Sequence, residues 1–249
     1  MDEVEYYDDF YQGEVERVNR SHLIRAVRTR LAVEFRKKAC LTKSSRVLNL
    51  GCGDGSTERL LAPHVAEVIG VDVSPVAVAH ARQLANEQHL ANVEYQVHDL
   101  TTGFPWESGS FDAVCMLGFL HHILEAFLQG LIEGTCRVLR AGGTAYAVDP
   151  SSRRLIRWLK PFVKSTYERL HTPDEREFDP AELRRRFKDA GFASVEVQPV
   201  DYFSVPLGFL LPRMPSALTR PAQFADALAC RLPGISSLAS SMAVVARAG

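Results

Sequence analysis

The chain carries no excess of either charge. Its 29 Lys and Arg residues face 30 Asp and Glu, a formal net charge of −1. A bulk polyanion partner is therefore not expected, although a local patch is not excluded. No apolar run reaches membrane-spanning length. The N-terminus is acidic rather than basic and then apolar, so no secretory leader is expected. The five cysteines (Cys40, Cys52, Cys115, Cys136 and Cys230) include no C-x-x-C pair. Such a dispersed, odd set reads as reduced thiols in a cytoplasmic enzyme. Internal repeats and low-complexity tracts are also lacking. What is present is ample apolar material: 46% of 249 residues are hydrophobic, enough to fill the core of one domain with an appendage.

The most informative segment is Val47-Leu48-Asn49-Leu50-Gly51-Cys52-Gly53-Asp54-Gly55-Ser56. A short apolar strand runs into a turn with glycine at alternate positions, and a helical pattern over residues 57–62 follows. Such glycines allow a sharp turn and the close approach of a ligand to the backbone. The helix then directs free N–H groups at whatever lies on the loop. Alone, this is also a plain strand-to-helix turn. Further strands follow it: Val68–Asp72 ending in an acid, residues 92–99 ending in Asp99, Phe111–Met116, and a turn at Gly142-Gly143 leading to Asp149. A carboxylate at Asp72 is placed to accept hydrogen bonds from both hydroxyls of a ribose.

In their order and spacing these features resemble the class I S-adenosylmethionine-dependent methyltransferases. The resemblance rests on Gly51, Gly53 and Gly55, on Asp72, on Asp99-Leu100, on Phe111-Asp112 and on Leu139-Arg140-Ala141-Gly142-Gly143, and covers roughly residues 45–150. It implies an α/β fold: a Rossmann-like, mostly parallel seven-stranded sheet with helices on both faces, an antiparallel last strand, an N-terminal helix and helical cap insertions. It implies S-adenosylmethionine as cofactor, with Gly51, Cys52 and Gly53 against its methionine part and sugar. Asp72 takes the ribose hydroxyls and Val73 flanks the adenine. Asp99 and the Leu100 backbone meet the adenine amino group, and Leu117 lies near the cofactor's amino end. Asn49 departs from the pattern. The family often has an acid there, and an amide cannot form an ion pair with the cofactor ammonium. A nicotinamide dehydrogenase is disfavoured, because its loop would read G-x-G-x-x-G and this one has Ser56 at the last position.

The flanks give the domain plan. Residues 1–44 hold an acidic, aromatic stretch with Tyr7 and Tyr11 and then a helix over 14–39, forming a lid. Residues 45–150 form the cofactor-binding core. Residues 151–249 complete the sheet and carry a helical, proline-rich substrate cap at about 151–178 and 204–236. A helix over residues 125–139 is expected to close at Ala141-Gly142, and another over 178–190 has Asp179 as its cap and Pro180 at its start. Residues 205–233 match no simple element. A basic face at Arg153, Arg157, Lys160 and Lys164 is most simply solvated.

Methyl transfer from a sulfonium is an in-line displacement, so orientation supplies much of the rate. A hydroxyl nucleophile also benefits from a base. His121 and His122 follow the fourth strand, where an acceptor would enter, and histidine titrates near neutrality. The alternative is that one of them packs beneath the next helix. Asp149 is placed to orient a histidine or a substrate amine, or to cap a turn. Tyr7, Tyr11, His122 and Asp149 are the candidate acceptor contacts. No metal is expected, since the histidines are adjacent and nothing completes a ligand set. The expectation is a cytoplasmic methyltransferase, monomeric or homodimeric, acting on an oxygen or nitrogen of a small organic molecule. Its rivals are an RNA or protein methyltransferase and a non-catalytic S-adenosylmethionine-binding protein.

Overall fold

In a computed structural model that describes Asp8, residues 20–154 and residues 176–249, the chain forms a seven-stranded sheet flanked by helices. The described elements run α1 (His22–Lys38), β1 (Arg46–Leu50), α2 (Ser56–Leu61), β2 (Glu67–Asp72), α3 (Pro75–Glu87), β3 (Val93–Val97), β4 (Phe111–Leu117), α4 (Glu125–Val138), β5 (Leu139–Pro150), α5 (Pro180–Asp189), β6 (Ser194–Asp201), α6 (Ser204–Leu210), α7 (Thr219–Ala229) and β7 (Ser241–Arg247). The strand order is β3-β2-β1-β4-β5-β7-β6. β1 to β5 pair in parallel, and β7 runs antiparallel to both of its neighbours. Chain order reverses at β1, between β2 and β4, which is where open α/β sheets bind ligands beyond their strand ends.

The central strands are buried on both faces, hence their mostly apolar sequences, with Asn49 a buried polar exception in β1. Leu48, Leu50, Val114 and Met116 pack with Leu128 and Ile132 of α4 and Phe187 of α5. Val47, Val68, Ala113 and Tyr146 pack on the other side with Val27, Leu31 and Phe35 of α1. Local signals set the helix starts. Ser21, Ser74 and Asp179 cap α1, α3 and α5 through their side-chain oxygens, and Pro75 and Pro180 occupy first-turn positions. Pro199 sits in β6, an edge strand, beside a register shift, where a missing N–H is tolerated.

Two sequence expectations are corrected. α4 does not close on Ala141-Gly142. It stops at Val138, because Leu139 is already extended and paired with Phe111 of β4, and the left-handed turn at Gly142 falls inside β5. Residues 205–233 are not without regular structure. They hold α6, a 3-10 turn at Ser216–Leu218 and α7, joined as a cap between β6 and β7.

A buried acid fastens this cap. Asp226 of α7 accepts from the N–H groups of Tyr202 (3.0 Å), Phe203 (2.7 Å) and Ser204 (3.3 Å), holding the entry to α6 from outside that helix. Asp201 accepts from Val205 N at 3.0 Å, and Arg30 of α1 lies 3.6 Å from it. Burial, reinforced by the neighbouring Asp226, pushes the Asp201 carboxyl up to about 8. α6 packs on α1 so closely that a side chain at Gly208 would strike Ile24.

Candidate cofactor and catalytic site

The glycine loop between β1 and α2 takes left-handed backbone at Gly51, Gly53 and Gly55. A β-carbon at Gly51 would collide with the Phe119 ring, and one at Gly55 with the Tyr95 hydroxyl. The loop is pinned to β2. Cys52 N donates to Val71 O (2.9 Å) and Gly53 N to Asp72 Oδ2 (2.9 Å). The other Asp72 oxygen accepts from Ser74 N at 3.0 Å. Burial raises the Asp72 carboxyl above the usual range, while the N–H groups of Ser74 and Gly53 oppose this. The acid thus holds the loop and the start of α3 together, with Val73 half-buried next to it.

Beneath the loop a row of residues crosses four strands: Cys115 (β4), Asn49 (β1), Gly70 (β2) and Tyr95 (β3). Gly70 leaves a gap, and Glu58 of α2 fills it: a β-carbon on Gly70 would lie 2.6 Å from Glu58 Oε1 and 2.8 Å from the Tyr95 ring. Glu58 is fully buried and accepts from Asn49 Nδ2 at 2.6 Å. Burial pushes its carboxyl up to about 8, with the Asn49 bond partly offsetting this. Asn49 is 2% exposed, and its Oδ1 is buried without a hydrogen-bond partner. Tyr95 donates to Gly55 O (3.1 Å), tying the row to the loop. Sequence reasoning missed Glu58. The gap that receives it is made by a glycine twelve positions away, so no local pattern marks this acid as buried.

Past β4, Gly118 and a 3-10 turn at Leu120–His122 carry the two histidines. His121 Nδ1 lies 2.8 Å from Asp149 Oδ1, and that oxygen also accepts from His121 N at 3.1 Å. Asp149, at the end of β5, is 1% exposed. Burial drives its carboxyl well up, and the N–H groups of His121, Leu120 and Phe119 draw it back. The His121 and His122 rings lie 3.8 Å apart between centroids. A charged lattice supports the turn from outside. Arg176 N donates to His121 O (3.1 Å), and the Arg176 side chain pairs with Glu125 and Glu182. Arg186 pairs with the same two acids, at 2.6 and 2.9 Å.

The remaining candidates are more dispersed. Asp99 is exposed and caps the next 3-10 turn, its Oδ1 accepting from Thr101 N (2.8 Å) and Thr101 Oγ1 (2.7 Å). Leu100 is buried in the core and Leu117 half-buried. Cys52 packs with Val78, Ala81 and Tyr95, and burial raises its thiol. Asp8 reaches this region, its Oδ1 lying 2.5 Å from Ser74 Oγ. Tyr7 and Tyr11 lie outside the described residues, as do Arg157, Lys160 and Lys164, while Arg153 pairs with Asp179 at 2.8 Å. Among the described residues no three His, Cys, Asp or Glu side chains gather to hold a metal, and no helix is long and apolar enough to cross a membrane.

Three comparisons bear on this geometry. Residues 47–143 match the family model of a methyltransferase domain. An uncharacterized methyltransferase of Synechocystis sp. is 36% identical over 109 residues, which are 44% of this chain and 49% of that protein. A ubiquinone biosynthesis O-methyltransferase of Coxiella burnetii is 26% identical over 197 residues, 77% of this chain and 80% of the relative. The chain thus spans about half the length of the first relative and four-fifths of the second. In fold it is similar to a phosphoethanolamine N-methyltransferase 2 of Haemonchus contortus in complex with S-adenosyl-L-methionine (TM-score 0.61, 19% identity, 87% of this chain and 51% of that one). Residues 47–143 thus form a methyltransferase domain, and the chain is similar in sequence and fold to S-adenosylmethionine-dependent methyltransferases.

The residues present fit that cofactor. Three left-handed glycines shape a tight loop at the switch point. An acid stands at the end of β2, and the partnerless Asn49 Oδ1 is buried below the loop. An acceptor of this kind suits the donor groups of an adenosyl amino acid, whereas phosphates would need donors.

Proposed function

We propose that the protein transfers a methyl group from S-adenosylmethionine to an oxygen of a small organic molecule, with His121 as base. The carrying observation is the part-buried bond between His121 Nδ1 and Asp149 Oδ1 at 2.8 Å. A proton held in that bond leaves the lone pair on Nε2, the atom that would take the acceptor's hydroxyl proton. Asp149 is then a positioning residue, fixing both the tautomer and, through His121 N, the backbone. The cofactor supplies a methyl already activated by a positive sulfur. The protein has to hold the acceptor oxygen in line with it.

In this reading Gly51, Cys52 and Gly53 receive the methionine part and sugar, Asp72 the ribose hydroxyls, Val73 the adenine face, and Asp99 with Leu100 the adenine amino group. Leu117 and Asn49 serve the amino-acid end, Asn49 from beneath and with Glu58 behind it. His122, its ring tilted against that of His121, faces the acceptor. Residues 1–44 act as lid, 45–150 as core, and the segments beyond 150 as cap. Free thiols at all five cysteines suit a cytoplasmic setting. The name of the Coxiella relative supports oxygen over nitrogen as the acceptor atom.

A groove of about 500 Å³ beside α5, lined by Arg153, Arg184, Arg185 and Lys188, is the feature a polymer substrate would need. None of the loop or histidine residues lines it, which favours a small acceptor.

Calorimetry should show S-adenosylmethionine binding and no tight nicotinamide-cofactor binding. Methyl transfer to a panel of phenols, catechols and amines should favour the hydroxyls. His121→Ala should lower kcat with KM for the cofactor nearly unchanged. Preference for amines, or full turnover without His121, would overturn the oxygen reading.

A further inference from the structure

Helix α7 is built inside out. Asp226, its acid, is 0% exposed and faces inward, whereas Phe224 is 72% exposed and Leu228 52%. Arg220, Phe224 and Leu228 recur every four residues and so form one outward stripe. The rest of the cap matches. Of the thirteen large hydrophobic side chains exposed among the described residues, eight lie between Phe203 and Leu238, including Leu211, Leu218 and Ile235. Over the same span the sequence has three basic residues (Arg213, Arg220 and Arg231), all exposed, and one acid, the buried Asp226. The surface of the cap is therefore apolar and purely cationic, on a chain whose overall charge is balanced.

We propose that this face docks the protein on an anionic membrane surface. Apolar side chains mixed with arginine suit the headgroup boundary of a bilayer, where the first enter the acyl edge and the second meet lipid phosphates. A second copy fits less well, because a two-fold contact would set the same arginines against one another with no acid on either side. The cap joins β6 to β7 at the end of the sheet where β5 finishes, since Pro150 pairs with Ser241 and Asp201 pairs with Ser241. The glycine loop and His121 lie at that same end. Docking would therefore bring the end of the sheet that carries the site toward the bilayer.

The test uses the full chain with vesicles of phosphatidylcholine alone or mixed with phosphatidylglycerol, and reads the bound fraction by flotation. It needs no acceptor, so it stands apart from the assignment of the methyl-transfer chemistry. Binding should appear on the mixed vesicles and weaken with salt. Arg220→Gln should reduce partitioning roughly fivefold, and the double variant Phe224→Ser, Leu228→Ser at least tenfold. Far-UV circular dichroism and cofactor binding should match the unaltered chain, since all three side chains are exposed. Absence of binding to mixed vesicles, or equal binding by the double variant, would overturn the proposal. So would a dimer in sedimentation that the double variant dissociates, which would give the face to a second copy.

Discussion

Replacing Glu58 with glutamine should change how stability depends on pH more than stability at any one pH. The Glu58 carboxyl titrates at about 8 in the folded chain against 4.5 as its ordinary value. Between those limits the folded state holds a proton that the unfolded state has released. Stability therefore falls as pH rises through this window, by about 1.4 kcal/mol per unit for this one group. The full contribution is present below 4.5 and gone above 8. Of a full contribution of about 5 kcal/mol, about 4 remains at pH 5 and about 1.4 at pH 7. Glutamine keeps an acceptor for Asn49 Nδ2 and removes the titration. It also adds amide hydrogens to a buried site, at about 1–3 kcal/mol if one stays unpaired. The unaltered chain should then be the more stable at pH 5, the curves should cross near pH 6, and Glu58→Gln should lead by about 2 kcal/mol at pH 8. Asp201 also titrates at about 8, so the variant should keep a slope and lose only the share of one proton. Urea unfolding at pH 5, 6, 7 and 8 reads this directly. Parallel curves for the two proteins would refute the account of Glu58 as a buried, protonated acid.

Asp72→Ala should weaken S-adenosylmethionine binding by about 10- to 100-fold, from lost hydrogen bonds to a charged group; calorimetry that finds unchanged affinity would remove it from the site. Asp149→Asn should lower kcat about 100-fold while leaving cofactor affinity intact, because His121 loses its fixed tautomer; a single-turnover assay separates the two effects. Asp226→Ala should leave three N–H groups of the cap without an acceptor and loosen it locally. Limited proteolysis should then cut within residues 202–240 long before the sheet unfolds.

The core was legible because its signals are local. The glycine loop, the acid closing β2, and the Ser74-Pro75 and Asp179-Pro180 starts each carry their reason within a few residues. Asp149 was legible as a partner for a histidine, since both close neighbouring strands. Three features were hidden. The burial of Glu58 depends on the gap at Gly70. The early end of α4 depends on Leu139 joining Phe111 in the ladder, a tertiary contact that overrides the glycine signal. The cap helices lack side-chain caps of their own and are fastened by Asp226, more than twenty residues from the N–H groups it serves. A helix whose outward stripe is apolar also defeats a search for amphipathic period, because the period is present with its sign reversed.

The placement of β6 and β7 has a further consequence. They are consecutive in the chain, adjacent in the sheet and antiparallel, so a two-residue reverse turn would suffice to join them. The chain instead makes a long excursion and returns to the register it left, with Asp201 opposite Ser241. The cap is thus an insertion into a β-hairpin rather than a link in the fold. Closing a longer loop adds little entropy cost once the strands are paired. A chain in which residues 202–240 are replaced by Asn-Gly should keep its sheet, and caps from other relatives should be exchangeable at this seam.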